Sequence, residues 1–134
     1  MNILVIDGMG GGIGKALIEK LKAELKGTNI VAVGTNSIAT SAMLKAGADS
    51  GATGENAVVY NATSADYILG VMGIAFANSM HGEVSPAMVA AVSASSAHKV
   101  LIPIDKCNVT VAGARSASVQ EYISEIADIL RRRS

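Results

Sequence analysis

A chain of 134 residues, half of them hydrophobic, is long enough to bury a real core in one domain. Its 11 basic and 11 acidic side chains cancel to a formal net charge of zero, so no global field favours nucleic acid or an anionic membrane, and neither is an expected partner. With no Trp, one Phe and three Tyr, the core must be built from Ala, Val, Ile, Leu and Met.

Asn2 to Ile6, with the continuous apolar run Ile3-Leu4-Val5-Ile6, predicts a buried strand. It is too short for a signal peptide and ends at Asp7. Gly12 to Lys26 predicts an amphipathic helix, with Ile13, Leu17, Leu21 and Leu25 on one face and Lys15, Glu19, Lys22 and Lys26 on the other. Gly27 suits its C-terminal end. Asn29 to Val33 predicts a second buried strand. Gly34-Thr35-Asn36-Ser37 then supplies a glycine turn with three N-cap residues, and a helix follows from Ile38 to Ala46, stopped by Gly47. Asp49 to Asn56 reads as a polar loop and Ala57 to Tyr60 as a short third strand. Tyr67 to Val71 is the fourth strand. The link between these two is too short for a full crossover helix, so the third strand is expected to be antiparallel or at an edge.

Tyr67 to Met80 is uncharged and apolar-rich, yet too short and too interrupted to span a membrane. Ser85-Pro86 marks a helix start, Ser as N-cap and Pro at the first helical position, and the helix runs to about Ser96. Val100 to Ile104 predicts a fifth strand and Asn108 to Val111 a sixth. The one cysteine, Cys107, excludes an intrachain disulfide and points to a cytoplasmic protein. Beside Lys106 it is also a candidate thiolate, although a lone Cys is more often inert packing. Ser118-x-x-Glu121 is a capping box that opens the last helix, Val119 to about Arg132. Arg131, Arg132 and Arg133 are expected to complement the C-terminal end of that helix dipole, with a basic nucleic-acid tail as the competing reading.

This alternation predicts an α/β fold: a Rossmann-like three-layer α/β/α sandwich on a mostly parallel sheet of about five or six strands, in a single domain over residues 1–134. Ligands of such sheets bind at the carboxyl ends of the strands. Polar or glycine-rich segments fall at four of those ends: Asp7 to Gly14, Gly34 to Ser37, Gly70 to Glu83, and Asp105 to Asn108.

The run Asp7-Gly8-Met9-Gly10-Gly11-Gly12-Ile13-Gly14 lies between a strand and a helix. Glycines let a ligand approach the backbone, and the helix start offers free N–H groups and a positive dipole end to an anion. Gly8, Gly10, Gly11, Gly12, Ile13 and Gly14 are therefore candidate phosphate-binding residues. Gly34, Thr35 and Asn36 are candidates for a second phosphate or a sugar hydroxyl, with helix capping as the competing use. Asn78, Ser79, His81 and Glu83 form a polar cluster in an otherwise uncharged stretch. Asn78 is a candidate ligand contact. His81 and Glu83 are candidate acid/base groups, with Asp7 at the base of the turn as a third. The two histidines are not spaced for a helical metal site, and no metal site is expected.

Gly8-x-x-x-Gly12-Ile13-Gly14 resembles the glycine fingerprint of short-chain dehydrogenases, over the first βα unit alone. None of the tyrosines has a lysine four residues on, and the second strand ends without an acidic residue to hold a ribose, so a short-chain dehydrogenase is excluded. No Gly-Lys-Ser/Thr follows the turn, which excludes a Walker loop. Gly34-Thr35 resembles the Gly-Thr turn of methylglyoxal synthase over a few residues. Across most of its length the chain resembles an uncharacterised family of short bacterial proteins described as nucleotide-binding. The resembling blocks are Ile6 to Lys15, Gly34 to Ala48, Gly51 to Asn56, Ile102-Pro103 and Cys107-Asn108. That resemblance implies a Rossmann-like domain and no established reaction.

The expected function is binding of a nucleotide or dinucleotide, NAD(P) among them, with its phosphate at Gly8 to Gly14. The alternatives are a small lyase or isomerase acting on a phosphorylated metabolite, and a non-catalytic interaction module. The expected partners are a small phosphorylated ligand and a second copy of the chain. The apolar stretch Val71 to Met80 is the candidate subunit contact of a homo-oligomer, a symmetric dimer.

Overall fold

The computed structural model describes residues 1–104 and 108–134. Its elements follow one another as β1 (Asn2–Asp7), α1 (Gly12–Glu24), β2 (Asn29–Gly34), α2 (Ser37–Lys45), β3 (Ser50–Thr53), α3 (Glu55–Asn61), β4 (Tyr67–Val71), a 3-10 turn (Met72–Ala75), α4 (Pro86–Ala94), β5 (His98–Ile102) and α5 (Val119–Arg133). The strands form one parallel sheet in the order β3-β2-β1-β4-β5. The chain winds one way from β1 to β3, then crosses back to β4 and β5. The switch point therefore lies between β1 and β4, where a doubly wound sheet leaves a crevice at its carboxyl edge.

Alternation along β1 divides the core between the two faces. Ile3 and Val5 pack with Leu17, Leu21, Met43, Ile123, Ile126 and Leu130 from α1, α2 and α5. Leu4 and Ile6 pack with Val58, Met88 and Val92 from α3 and α4. Both faces of the central strands are covered, which is why β1 and β2 read as continuous apolar runs. The caps behave as their residues dictate. Asn36 Oδ1 accepts the Ala39 N–H, Ser85 Oγ accepts the Met88 N–H, and Ser118 and Glu121 form a complete capping box.

Two expected strands are corrected. Ala57 to Tyr60 lies inside α3, and the third strand is Ser50–Thr53. Gly54, at φ 98°, breaks the strand, and Glu55 then opens the helix. Only Val58 of α3 is fully buried; its neighbour Val59 is exposed, as one-sided burial of a helix requires. The true third strand is small and polar because it is an edge: its backbone pairs with β2 in parallel, Val31 opposite Ser50 to Gly34 opposite Thr53. A helix of seven residues thus suffices for the crossover to β4. The expected sixth strand, Asn108 to Val111, is irregular backbone, with Val111 exposed. The sheet has five strands among the described residues.

The uncharged stretch after β4 also turns inward. Met72, Gly73 and Ile74 are buried, whereas Phe76 is exposed. No described helix is long and apolar enough to cross a membrane.

Candidate functional site

Asp7 ends β1 almost wholly buried, 6% exposed. Its Oδ1 accepts the Gly8 N–H at 2.8 Å and its Oδ2 the Gly14 N–H at 2.7 Å. The carboxylate therefore holds both ends of the glycine turn and takes one of the open N–H groups of the α1 start. Burial pushes the Asp7 carboxyl above its ordinary pKa, against the pull of the Gly14 and Gly8 hydrogen bonds.

The glycines of the turn differ in what the fold asks of them. Gly11 has φ +73°, and a Cβ there would lie 2.8 Å from the Ala39 backbone of α2. A Cβ on Gly14 would sit 3.0 Å from the Asp7 carboxylate and 2.6 Å from Met43 Sδ. One on Gly8 would come within 2.5 Å of Thr35 Oγ1 and 3.0 Å of Glu83 Oε1. These three positions are closed by the protein itself. At Gly10 and Gly12 a Cβ would meet no atom of another described residue within 4 Å, and neither φ is positive. The N–H groups of Gly10, Gly12 and Ile13 make no hydrogen bond to a described residue.

Those two open glycines line a cavity of about 500 Å³ at the carboxyl edge. Its floor is Asp7 and its rim the turn from Gly8 to Ile13; Val71, Gly73, Met80, His81 and Ile104 complete the wall. A volume of that order suits a small organic ligand. The walls are chiefly apolar, and no Lys or Arg is among the described lining residues.

The loop from Phe76 to Val84 brings His81 to this wall. It is closed by Asn78 N–H to Val84 O at 2.6 Å and Val84 N–H to Ser79 O at 3.2 Å. Asn78, Met80 and His81 all have positive φ, at 67°, 56° and 55°. Non-glycine residues in that region cost about 1–2 kcal/mol each, a strain found most often at ligand sites.

Glu83 reaches toward two other turns, with His81 within electrostatic range of its carboxylate. Its Oε1 accepts Thr35 Oγ1–H at 2.5 Å, Asn36 Nδ2–H at 3.0 Å and the Met9 N–H at 3.2 Å. The Thr35 hydrogen bond, then the Met9 N–H, hold its carboxyl below the ordinary range. Asn36 also donates to Met9 O at 2.9 Å, so its amide is committed to capping and cross-linking. Gly34 lies beside Asp7 in the sheet, and its N–H donates to Thr40 Oγ1 at 3.1 Å.

Three of the four polar strand ends thus meet at one edge. Asp7, Gly8, Gly10, Gly11, Gly12, Ile13 and His81 share the cavity. Glu83, Thr35 and Asn36 form a bridge beside it. Asn78 is exposed and does not line the cavity, and Gly14 and Gly34 lie behind the turns. The fourth strand end lies largely outside the described residues, and with it Cys107. Val71, Gly73, Met80 and Ile104 were not singled out from the sequence as site residues; their signal is position, since three of the four follow or end strands β4 and β5. Among the described residues no three of His, Cys, Asp and Glu gather to hold a metal ion.

The chain belongs to the family described as a domain of unknown function, DUF3842, whose model matches residues 2–134. No curated protein matches it. Among solved structures it is similar to the dodecameric FMN-dependent UbiX-like decarboxylase from Escherichia coli O157:H7. The two are 12% identical over 97% of this chain and 92% of that one, with a TM-score of 0.43.

Proposed function

We propose that this member of a family without an assigned activity binds a nucleotide or dinucleotide at the carboxyl edge of its sheet. The ligand phosphate sits on the N–H groups of Gly10, Gly12 and Ile13, and one end of the ligand enters the 500 Å³ cavity beside β4. The observation that carries this reading is the contrast within the turn. The fold accounts for Gly8, Gly11 and Gly14, but nothing among the described residues requires Gly10 and Gly12 to lack a side chain. Open backbone at a helix start beside a cavity is what a phosphate needs.

The test is a thermal-shift and calorimetric panel of NAD, NADP and adenine, guanine and flavin nucleotides on wild type and Gly12→Ala. The expected result is binding by wild type and its loss in a variant that melts no lower. A panel in which no nucleotide binds the folded wild type removes this reading.

A second reading has its own observation. Asp7 and His81 line the same cavity, one carboxyl with its pKa raised by burial and one imidazole. That pair supports acid/base chemistry on a phosphorylated metabolite, a lyase or isomerase reaction. Turnover of such a compound, abolished in His81→Asn, is its test. In either reading the proposed assembly is a homo-oligomer; of the candidate contact Val71 to Met80, Met72, Gly73 and Ile74 are taken up by the core and Phe76 is left exposed for it. Light scattering that gives a monomer at all concentrations removes the assembly.

A further inference from the structure

The turn after β2 has no acidic residue of its own; it reads Gly34-Thr35-Asn36-Ser37. A carboxylate nevertheless stands there. Glu83, carried by the loop after β4, reaches across the end of β1 and places Oε1 on Thr35 Oγ1, Asn36 Nδ2 and Met9 N. Oε2 makes no hydrogen bond to a described residue, and the side chain is only half-buried. In a doubly wound sheet a dinucleotide runs from the end of β2, over the β1 turn, to the crevice beside β4, and an acidic group at the end of β2 takes the ribose 2′-hydroxyl.

We propose that Glu83 is the ribose-reading carboxylate of this protein, brought to the end of β2 by the fold instead of by the sequence of that strand. It selects a ribose with a free 2′-hydroxyl against one carrying a 2′-phosphate. The inference rests on the nucleotide reading above and narrows its ligand class. A 2′-hydroxyl donates to Oε2, a charge-assisted hydrogen bond. A 2′-phosphate only accepts and meets a like charge at short range. The described hydrogen-bond partners of Glu83 are a hydroxyl, an amide and a backbone N–H, none of them a guanidinium or ammonium to receive that phosphate, and His81, within electrostatic range, makes no described hydrogen bond to it. The Met9 N–H bond also fixes this carboxylate to the glycine turn, so the ribose and phosphate positions are set by one contact.

NAD and NADP differ only in that phosphate, and titration with both tests the assignment. Wild type is expected to bind NAD at least about tenfold more tightly than NADP. Glu83→Gln is expected to bring the ratio close to one. A Glu83 that merely straps the loop down weakens both ligands by the same factor when removed, so an unchanged ratio in Glu83→Gln overturns the proposal. Equal binding, or a preference for NADP, in wild type also overturns it. Should Glu83→Gln not fold, the wild-type ratio at low and high salt decides. Charge repulsion narrows the ratio as salt rises, and a salt-independent ratio overturns the proposal. If neither dinucleotide binds while another nucleotide does, the ribose assignment falls and the nucleotide reading stands. If the whole panel fails, both fall.

Discussion

Asp7 Oδ2 accepts the Gly14 N–H at 2.7 Å, tying the end of β1 to the first turn of α1. The carboxylate therefore does from inside the protein part of what an anionic ligand does from outside: it satisfies a helix-start donor. The donors left for a ligand are those of Gly10, Gly12 and Ile13, all on the cavity side. This relationship separates the shape of the turn from its binding capacity, and each can be tested alone.

Asp7→Asn tests the shape. An amide offers one acceptor oxygen where two N–H groups point, so either Gly8 or Gly14 faces an N–H. A buried donor left without an acceptor costs about 1–3 kcal/mol, and chemical denaturation is expected to show a loss of that order. The pH dependence has a definite sign. The folded pKa of Asp7 lies above its ordinary 3.8, because burial outweighs the two hydrogen bonds. Its contribution is then fullest below that ordinary value and is lost as pH rises through the folded pKa. Asp7→Asn removes this term, so the deficit of the variant is larger in acid than at neutral pH. A deficit that shrinks in acid contradicts the assigned direction.

Gly12→Ala and Gly14→Ala test the division of the turn. Gly12 begins α1, and a Cβ there meets none of the described residues, so alanine is expected to leave stability unchanged or raise it by up to about 1 kcal/mol. Gly14 is buried, with Asp7 and Met43 in the way, and alanine there is expected to cost about 1–2 kcal/mol. Melting curves of the two variants give the comparison. Equal destabilisation would show that Gly12 also has a structural duty and would remove the observation that carries the proposed function.

The legibility of this chain follows from the range of each interaction. The strands β1, β2 and β4 were readable because burial on both faces makes an uninterrupted apolar run. Ser118 and Glu121 were readable because a capping box closes within three residues. Strand β3 was not, since an edge strand of Ser, Gly, Ala and Thr is held by backbone pairing that leaves no side-chain pattern. Ala57 to Tyr60 misled for the converse reason: β-branched residues favour strands in isolation, and the break at Gly54 outweighed them. At the site, the β1 turn announced itself locally. The contact between Glu83 and Thr35 did not, because 48 residues separate them and only the crossover of the chain brings them together.

Glu83 carries the opposite pH sign to Asp7. Its folded pKa is lowered from the ordinary 4.5, first by the Thr35 hydroxyl and next by the Met9 N–H. Its stabilisation is therefore present above about that value and is lost as pH falls through the folded pKa. Removing the hydroxyl in Thr35→Val weakens the shift at its largest source. Acid titration of the Glu83 carboxyl, followed by NMR, is expected to move upward in Thr35→Val toward the ordinary value. An unmoved titration would mean that the Met9 and Asn36 contacts hold Glu83 without help from Thr35.

His81 joins backbone strain to the cavity wall, and its variants separate the two. At φ +55° an L-residue is held in a region that costs about 1–2 kcal/mol, which glycine avoids at the expense of about 0.5–1 kcal/mol of chain entropy. His81→Gly is thus expected to stabilise the fold by about 0.5–1 kcal/mol. Asparagine tolerates the same conformation, so His81→Asn is expected to stay near wild-type stability while deleting the imidazole. Both variants should weaken the ligand identified by the nucleotide panel, because His81 lines the cavity that receives it. Denaturation midpoints and one titration per variant measure this. A gain in stability together with a loss of binding identifies His81 as a strained residue kept for its contact with the ligand; a gain in stability with binding intact restricts it to the loop.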